Sequence, residues 1–248
     1  MEQIFDLIFV ILFIYLVPLG LFIRYSNPYL KNYITIPLSI LYVILSFFTI
    51  NYNYMPFILV IFTIYFIRKS SFERDNYLYE ANDYSRYNFS LKGFDTLEGI
   101  KFAGITLVVT IGISYLVQIV FKQLNIPIDE QEIVKLLKQL SLVNFIMLAV
   151  SGLLVAPVVE ELVFRWFLFS KLLRNRFNVI LAAVISSIIF SAGHMTLAGF
   201  LPIFALAMIN CYVIEKKGFW YAVFNHFFFN FLSFFSLFVQ RFGSNLIK

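Results

Sequence analysis

The sequence predicts an all-α polytopic membrane protein with about eight transmembrane helices and a buried polar site between the C-terminal helices. Three observations lead to this fold class: 61% of the 248 residues are hydrophobic, only 13% are charged, and the apolar residues form long continuous runs. Soluble domains are roughly 45–50% apolar and about 25% charged, so a chain of this composition needs lipid to cover its surface. The composition excludes a cytosolic enzyme, a secreted domain and a disordered chain.

The apolar runs predict the individual helices, because a helix needs roughly 20 apolar residues to cross a bilayer. The predicted spans are residues 3–23, 34–50, 54–67, 99–121, 142–155, 179–196, 197–215 and 219–239. Residues 158–174 continue the fifth span beyond a kink at Pro157, and 129–140 form a short surface helix. We divide the chain into N-terminal helices with a cytosolic loop (1–98), a membrane core (99–240) and a short tail (241–248).

The basic residues predict membrane orientation rather than a nucleic-acid partner. The net charge is +5, but the Lys and Arg residues are scattered among the short hydrophilic breaks between apolar runs. Basic residues that flank spans set topology. The expected partners are therefore membrane lipids, with no nucleic acid. The single cysteine, Cys211, allows no internal disulfide and has no thiolate neighbours for a metal site.

Ionisable residues inside spans are costly and usually functional. They are concentrated in the second half of the chain, at Glu160, Glu161, Arg165, His194 and His226. Glu161 and Arg165 are four residues apart, which predicts an ion pair. Adjacent helical residues diverge by about 100°, so Glu160 faces elsewhere and is available for proton transfer. The alternative is a salt bridge that only locks two helices together.

Both histidines lie in apolar stretches next to a polar or aromatic partner four residues away. Phe190 precedes His194, and Asn230 follows His226, on one helical face in each case. A packing histidine and interhelical polar bridging are the alternative interpretations. At a rise of about 1.5 Å per residue, Glu160, His194, His226 and Asn230 all fall at middle depths of the bilayer. We therefore expect three helices to bring these side chains to one point.

The three motifs resemble, in order, the signature of the CAAX prenyl protease and bacteriocin-processing family, also called Abi or CPBP intramembrane endopeptidases. They read Glu160-Glu161-Leu-Val-Phe-Arg165, Phe190-Ser-Ala-Gly-His194 and His226-Phe-Phe-Phe-Asn230. The resemblance covers roughly residues 99–240. Trp166 stands where this family usually has Gly, so we expect altered packing beside the site or a narrower substrate groove.

The resemblance implies hydrolysis of a peptide bond in a membrane-anchored or amphipathic peptide, such as a CAAX-like, bacteriocin or pheromone precursor. It implies that Glu160 and His194 activate a water, and that His226 and Asn230 donate to the oxyanion. It implies supporting roles for Glu161, Arg165 and Phe190. The implied partner is a membrane-associated peptide or a lipidated protein.

Several alternatives remain open. Zinc could bind Glu160, His194 and His226, although the H-E-x-x-H helix is missing and the mechanism without a cofactor is favoured. A non-catalytic immunity or scaffold protein of the same fold is a second possibility, and a transporter is disfavoured because only one half has a broken helix. The Ile-, Phe-, Asn-, Lys- and Tyr-rich composition is compatible with an AT-rich genome, so we expect a multi-pass protein of a bacterial cell membrane.

Overall fold

The computed structural model describes residues 2–49, 54–75, 89–128 and 132–246, which contain nine helical segments and no strand. Residues 1, 50–53, 76–88, 129–131 and 247–248 lie outside this description, so it leaves out part of the predicted N-terminal region and the start of the predicted surface helix. The helices are α1 (Glu2–Phe9, Val10–Leu16 and Val17–Ser26 in continuous succession), α2 (Asn32–Thr49), α3 (Tyr54–Asp75), α4 (Thr96–Gln123), α5 (Glu132–Leu137), α6 (Leu142–Leu173), α7 (Val179–Ala192), α8 (Leu197–Lys216) and α9 (Phe219–Leu246).

Five of these helices, α1, α4, α6, α8 and α9, are long and apolar enough to cross a membrane, and α2 and α7 are shorter apolar helices. Large apolar side chains on the outside, such as Phe47, Phe48 and Val108, are 75–81% exposed. Such a surface requires a lipid environment. The predicted all-α fold and integral multi-pass membrane location are confirmed, whereas the count of eight spans stays a prediction.

Side-chain caps at the helix starts explain several boundaries. Asp95 accepts hydrogen bonds from the backbone N–H groups of Leu97 and Glu98 at the start of α4. The side chain of Asn178 caps α7, and that of Thr196 caps α8. Such oxygens satisfy N–H groups that have no partner within the helix. Helix α7 ends at Ala192 and α8 begins after Thr196, so residues 193–196 form a turn within the predicted span 179–196.

Helix α6 is continuous from Leu142 to Leu173, as the predicted continuation past Pro157 requires. Its pitch widens into π-helical turns at Ser151–Val155 and Glu161–Leu173, on either side of the proline. Proline lacks the N–H of a regular helical bond and crowds the preceding turn, and π-helical turns occur frequently at functional sites. The segment Glu161–Leu173 is mostly buried and forms the centre of the protein core.

Helix α9 is longer than the predicted last span and runs on to Leu246, through most of the segment 241–248 that the sequence predicts as a tail. Arg241 of α9 donates hydrogen bonds to the backbone carbonyls of Leu137 and Leu140, at the end of the short helix α5. This contact fastens α5 to the end of α9. The predicted surface helix is therefore packed on one side, and Leu137 is only 2% exposed.

Candidate active site

A cavity of about 490 Å³ lies between α4, α5, α6, α8 and α9. The predicted site residues Glu160, His194, His226 and Asn230 all line it. Among the described residues that line it, Glu160 is the one carboxylate, and most of the others are apolar. The structure thus brings together four polar side chains that lie far apart in the sequence, as the common depth predicts.

The two adjacent glutamates occupy different environments. The side chain of Glu160 is 20% exposed and reaches the cavity, whereas that of Glu161 is fully buried. Glu161 Oε2 lies 3.2 Å from Arg165 Nε, the ion pair that the four-residue spacing predicts. Glu160 is consequently the carboxylate that can meet a substrate or a water.

Arg165 lies in the interior against Phe190. Its guanidinium carbon is 4.0 Å from the centroid of the Phe190 ring, which is a cation–π contact. Its Nη atoms have no hydrogen-bond partner among the described residues, so Glu161 and this ring are its main stabilising contacts. The Phe190 ring also lies edge-on to both imidazoles, with centroid distances of 4.7 Å to His194 and 5.8 Å to His226. The Phe190 ring therefore contacts the side chains of Arg165, His194 and His226.

His226 lies between the two carboxylates. Its Nδ1 is 2.8 Å from Glu161 Oε1, and its Nε2 is 3.7 Å from Glu160 Oε2. An ionised carboxylate oxygen only accepts hydrogen bonds, so Nδ1 carries a hydrogen and donates it to Glu161. Nε2 is then the nitrogen that faces Glu160 and the cavity. Sequence reasoning gave Glu161 only Arg165 as a partner and missed His226.

His194 lies in the turn between α7 and α8, two residues beyond the end of α7. Its Nδ1 is 2.9 Å from the backbone carbonyl oxygen of Phe190. Because a carbonyl oxygen only accepts, Nδ1 carries the hydrogen, and in the neutral ring Nε2 is left as an acceptor. His194 can therefore accept a hydrogen bond from a water in the cavity.

Asn230 of α9 is hydrogen-bonded to the backbone of α6. Its Nδ2 donates to the carbonyl oxygen of Gly152, at 2.9 Å, and leaves the second amide hydrogen free for another acceptor. Gly152 lies in the π-helical turn, pressed against Phe234 of α9. A Cβ at position 152 would be 2.6 Å from Cζ of Phe234, so only glycine allows this approach of α6 and α9.

Two buried asparagines that the sequence analysis did not single out complete the polar cluster. Asn210 of α8 donates from Nδ2 to Glu161 Oε1 at 3.0 Å, and Asn225 of α9 donates from Nδ2 to Asn210 Oδ1 at 2.6 Å. Both residues are 0% exposed. The sequence could have indicated both asparagines, because each is a polar residue within an apolar span and one of them directly precedes His226.

The first helix packs behind the site through a series of aromatic rings. Phe9 and Phe13 of α1 contact Phe164, with centroid distances of 5.9 and 5.2 Å, and Phe164 lies 5.1 Å from Phe190. The Phe9 ring also occupies the space beside Gly193, where a Cβ would be 2.1 Å from Cε1 of that ring. The glycine next to His194 thus accommodates a side chain of α1.

Trp166 does not line the cavity, so it does not narrow a substrate groove there. Its indole is 2% exposed and packs on Tyr25 of α1 and on Phe89, with centroid distances of 5.8 and 5.5 Å. The bulky residue at this position therefore joins α6 to α1 and to the chain that leads into α4.

We expect Trp166→Ala to lower the free energy of unfolding by about 3 kcal/mol, because a large buried aromatic side chain is removed. Turnover per folded molecule should be unchanged, since the cavity lining is intact. Thermal unfolding in detergent micelles measures the first effect. Phe47→Ala is the control, because Phe47 is 77% exposed, and it should leave the midpoint in place. A Trp166→Ala midpoint equal to that of the wild type would contradict the assigned packing role.

The side chains that could hold zinc are engaged with each other or with the backbone. His226 faces a carboxylate with each of its nitrogens, and His194 Nδ1 bonds to a carbonyl. Within the part of the chain that the structure describes, no three His, Cys, Asp or Glu side chains are grouped so that they could hold a metal ion. Glu160, His194 and His226 are thus not grouped as a set of zinc ligands in this structure, and a mechanism without a cofactor stays a prediction.

Residues 142–232 match the family model of the type II CAAX prenyl endopeptidases, described as Rce1-like. The match spans a little over a third of the chain and includes all three motifs. It confirms the family resemblance that the motifs predict, and it supports a CAAX-type intramembrane endopeptidase in general. No curated protein and no solved structure matches the chain.

Proposed function

We propose that this CAAX-type intramembrane endopeptidase hydrolyses a peptide bond in a membrane-anchored or amphipathic peptide, using a water activated by Glu160 and His194. The observation that carries the proposal is the single cavity in which one carboxylate, two imidazoles and one carboxamide meet. Peptide hydrolysis needs a base for the water, donors for the oxyanion and a proton for the leaving amine. These four side chains can supply each of them without a cofactor.

Glu160 is the base in this mechanism. It takes a proton from the water while His194 Nε2 accepts a hydrogen bond from the other hydrogen and orients the resulting hydroxide. The oxygen then attacks the carbonyl carbon of the substrate. The proton on Glu160 next passes to the leaving nitrogen as the C–N bond breaks, which regenerates the carboxylate. Glu161 is unsuited to this role, because it is fully buried and bonded to His226, Asn210 and Arg165.

His226 and Asn230 are the oxyanion donors. Since Nδ1 of His226 already donates to Glu161, donation from Nε2 requires the doubly protonated imidazolium. Asn230 contributes its second amide hydrogen while the first stays on Gly152.

The cavity favours a slender substrate over a folded domain. A volume of about 490 Å³ is in the usual range for small ligands, roughly 300–1,000 Å³, and holds only a few residues of peptide. Its apolar wall includes Val134 and Leu137 of α5 and Leu206 of α8. We infer that a peptide enters from the lipid side in extended form, with its apolar side chains against this wall.

Cleavage of a farnesylated peptide that ends in a CAAX sequence tests this function, with the purified protein in lipid nanodiscs and product detection by mass spectrometry. We expect Asn230→Ala to lower turnover by about 10²- to 10³-fold, the usual effect of losing one oxyanion donor. Asn175→Ala is the matched control, because Asn175 is exposed and bonds only to the carbonyl of Lys171. It should retain wild-type turnover.

Two further arms of this experiment separate the alternatives. An amphipathic peptide without the lipid shows whether the lipid anchor is required. A strong chelator should leave turnover intact, whereas loss of turnover that zinc restores would replace the proposed mechanism with the metal alternative. No cleavage of any peptide by the wild type would favour the immunity or scaffold function.

A further inference from the structure

A closed ring of hydrogen bonds lies behind His226, on the side away from the cavity. Asn225 Nδ2 donates to Asn210 Oδ1 at 2.6 Å, and Asn210 Nδ2 donates to Glu161 Oε1 at 3.0 Å. The same Oε1 is 2.8 Å from His226 Nδ1. Because Asn225 and His226 are neighbours in α9, the ring closes through the backbone and links three helices.

The ring has a fixed direction. In the observed orientation, the carboxamide of Asn210 accepts from one neighbour and donates to the other. If this carboxamide were reversed, its oxygen would face the carboxylate of Glu161 and its NH₂ group would face that of Asn225. Both contacts would then be repulsive, since each pairs two acceptors or two donors. Asn225 thus sets the orientation of Asn210, and Asn210 presents a donor to Glu161.

Glu161 Oε1 therefore receives donors from two sides, and Glu161 Oε2 forms an ion pair with Arg165 Nε at 3.2 Å, as an ionised carboxylate does. The ionised Glu161 has no proton that it could donate to an unprotonated Nδ1 of His226. The imidazole must place Nδ1–H on Glu161 and direct Nε2 towards Glu160, 3.7 Å away.

Burial makes these bonds strong and their loss costly. Asn210, Asn225 and Glu161 are 0% exposed and His226 is 2% exposed, so bulk water cannot replace a lost partner. Asn225 Oδ1 has no hydrogen-bond partner among the described residues. Its carboxamide is thus held in the interior chiefly by the bond to Asn210.

We propose that Asn210 and Asn225 are positioning residues, which hold His226 with Nδ1 protonated and Nε2 directed into the cavity. Neither asparagine lines the cavity, so both act on His226 through Glu161. The effect on turnover rests on the proposed function above, whereas the effect on the imidazole does not.

The chain offers a direct test, because it contains only two histidines. Protein labelled with ¹⁵N-histidine in nanodiscs gives two sets of ring-nitrogen NMR signals, and His194→Gln assigns them. We expect His226 in the wild type to show a protonated Nδ1. In Asn210→Ala the His226 signals should shift or split, because the bond between Nδ1–H and Glu161 loses its fixed geometry. Turnover of the farnesylated peptide should fall roughly 10- to 100-fold, the range expected for a lost bond to a charged group.

Two companion variants keep the test decisive. Asn225→Ala removes the donor to Asn210 Oδ1 and loosens the Asn210 carboxamide, so it should give a smaller change in the His226 signals and a smaller loss of turnover. Asn225→Ala also replaces Asn210→Ala in the test if Asn210→Ala does not fold. Ser187→Ala is the matched control, because Ser187 is 1% exposed and contacts the neighbouring Cys211, at 3.9 Å, outside the ring. It should leave the His226 spectrum unchanged.

The proposal is overturned if Nδ1 of His226 carries no proton in the wild type. It is equally overturned if the His226 signals in the asparagine variants match those of the wild type. If no peptide is cleaved but the His226 signals respond as expected, the proposed function fails while the positioning role stands. The two failures are thus distinguishable.

Discussion

Glu160→Gln is expected to abolish detectable peptide cleavage, with a loss of roughly 10²- to 10⁴-fold, the usual contribution of a positioned base. Glutamine has nearly the same shape but cannot take a proton from water. Folding should be preserved, because Glu160 is 20% exposed and its contact with His226, at 3.7 Å, is longer than a hydrogen bond. The measurement is the initial rate on a farnesylated CAAX peptide in nanodiscs, together with the thermal unfolding midpoint.

Glu215→Gln is the matched control for this variant. Glu215 pairs with Arg174 in a partly exposed contact away from the cavity, so its loss should not alter the rate. The inactive Glu160→Gln protein also serves as a trap, because it should retain bound peptides that mass spectrometry can identify. Wild-type turnover in Glu160→Gln would remove Glu160 from the mechanism.

Glu161→Leu is expected to give the largest loss of stability, about 3–5 kcal/mol, the usual cost of removing one partner of a buried ion pair. The change leaves the guanidinium of Arg165 in the interior, where its Nη atoms already lack hydrogen-bond partners among the described residues. It also removes the acceptor of both His226 and Asn210. Unfolding in mixed detergent micelles, followed by circular dichroism, measures the effect.

The double variant Glu161→Leu/Arg165→Met should recover a large part of this loss, because neither charge is then stranded. The exposed pair is the control: Arg174→Met/Glu215→Leu should change stability by less than about 1 kcal/mol. If Glu161→Leu unfolds at the wild-type midpoint, the buried pair does not stabilise the fold. If the double variant is no more stable than Glu161→Leu, the cost arises from the lost bonds to His226 and Asn210 instead.

The sequence predicted the membrane fold, and it predicted that the polar side chains of the second half of the chain lie together, because both depend on local properties. A run of apolar residues predicts a span regardless of its neighbours. An ionisable residue within such a run is unusual wherever it packs, which identified Glu160, His194 and His226. Their common depth followed from the rise of a helix and predicted that they meet.

Contacts between helices could not be predicted in the same way. The bond between Glu161 and His226, and the ring through Asn210, depend on how three helices are rotated about their axes, which hydropathy does not specify. The direction of Trp166, away from the cavity and towards Tyr25, depends on the position of α1. The position of His194 in a turn depends on the cap at Thr196, which ends the predicted span early.

The contact between Phe9 and Gly193 has a consequence for biosynthesis. At a translation rate of roughly 5–20 residues per second, the turn at Gly193 leaves the ribosome on the order of ten seconds or more after α1. During that interval the side of Phe9 that packs on Gly193 lacks this partner. The proposed oxyanion donors, His226 and Asn230, arrive later still, on the last helix. A nascent chain therefore lacks the complete candidate site until α9 is inserted, so the proposed cleavage could begin only after that step.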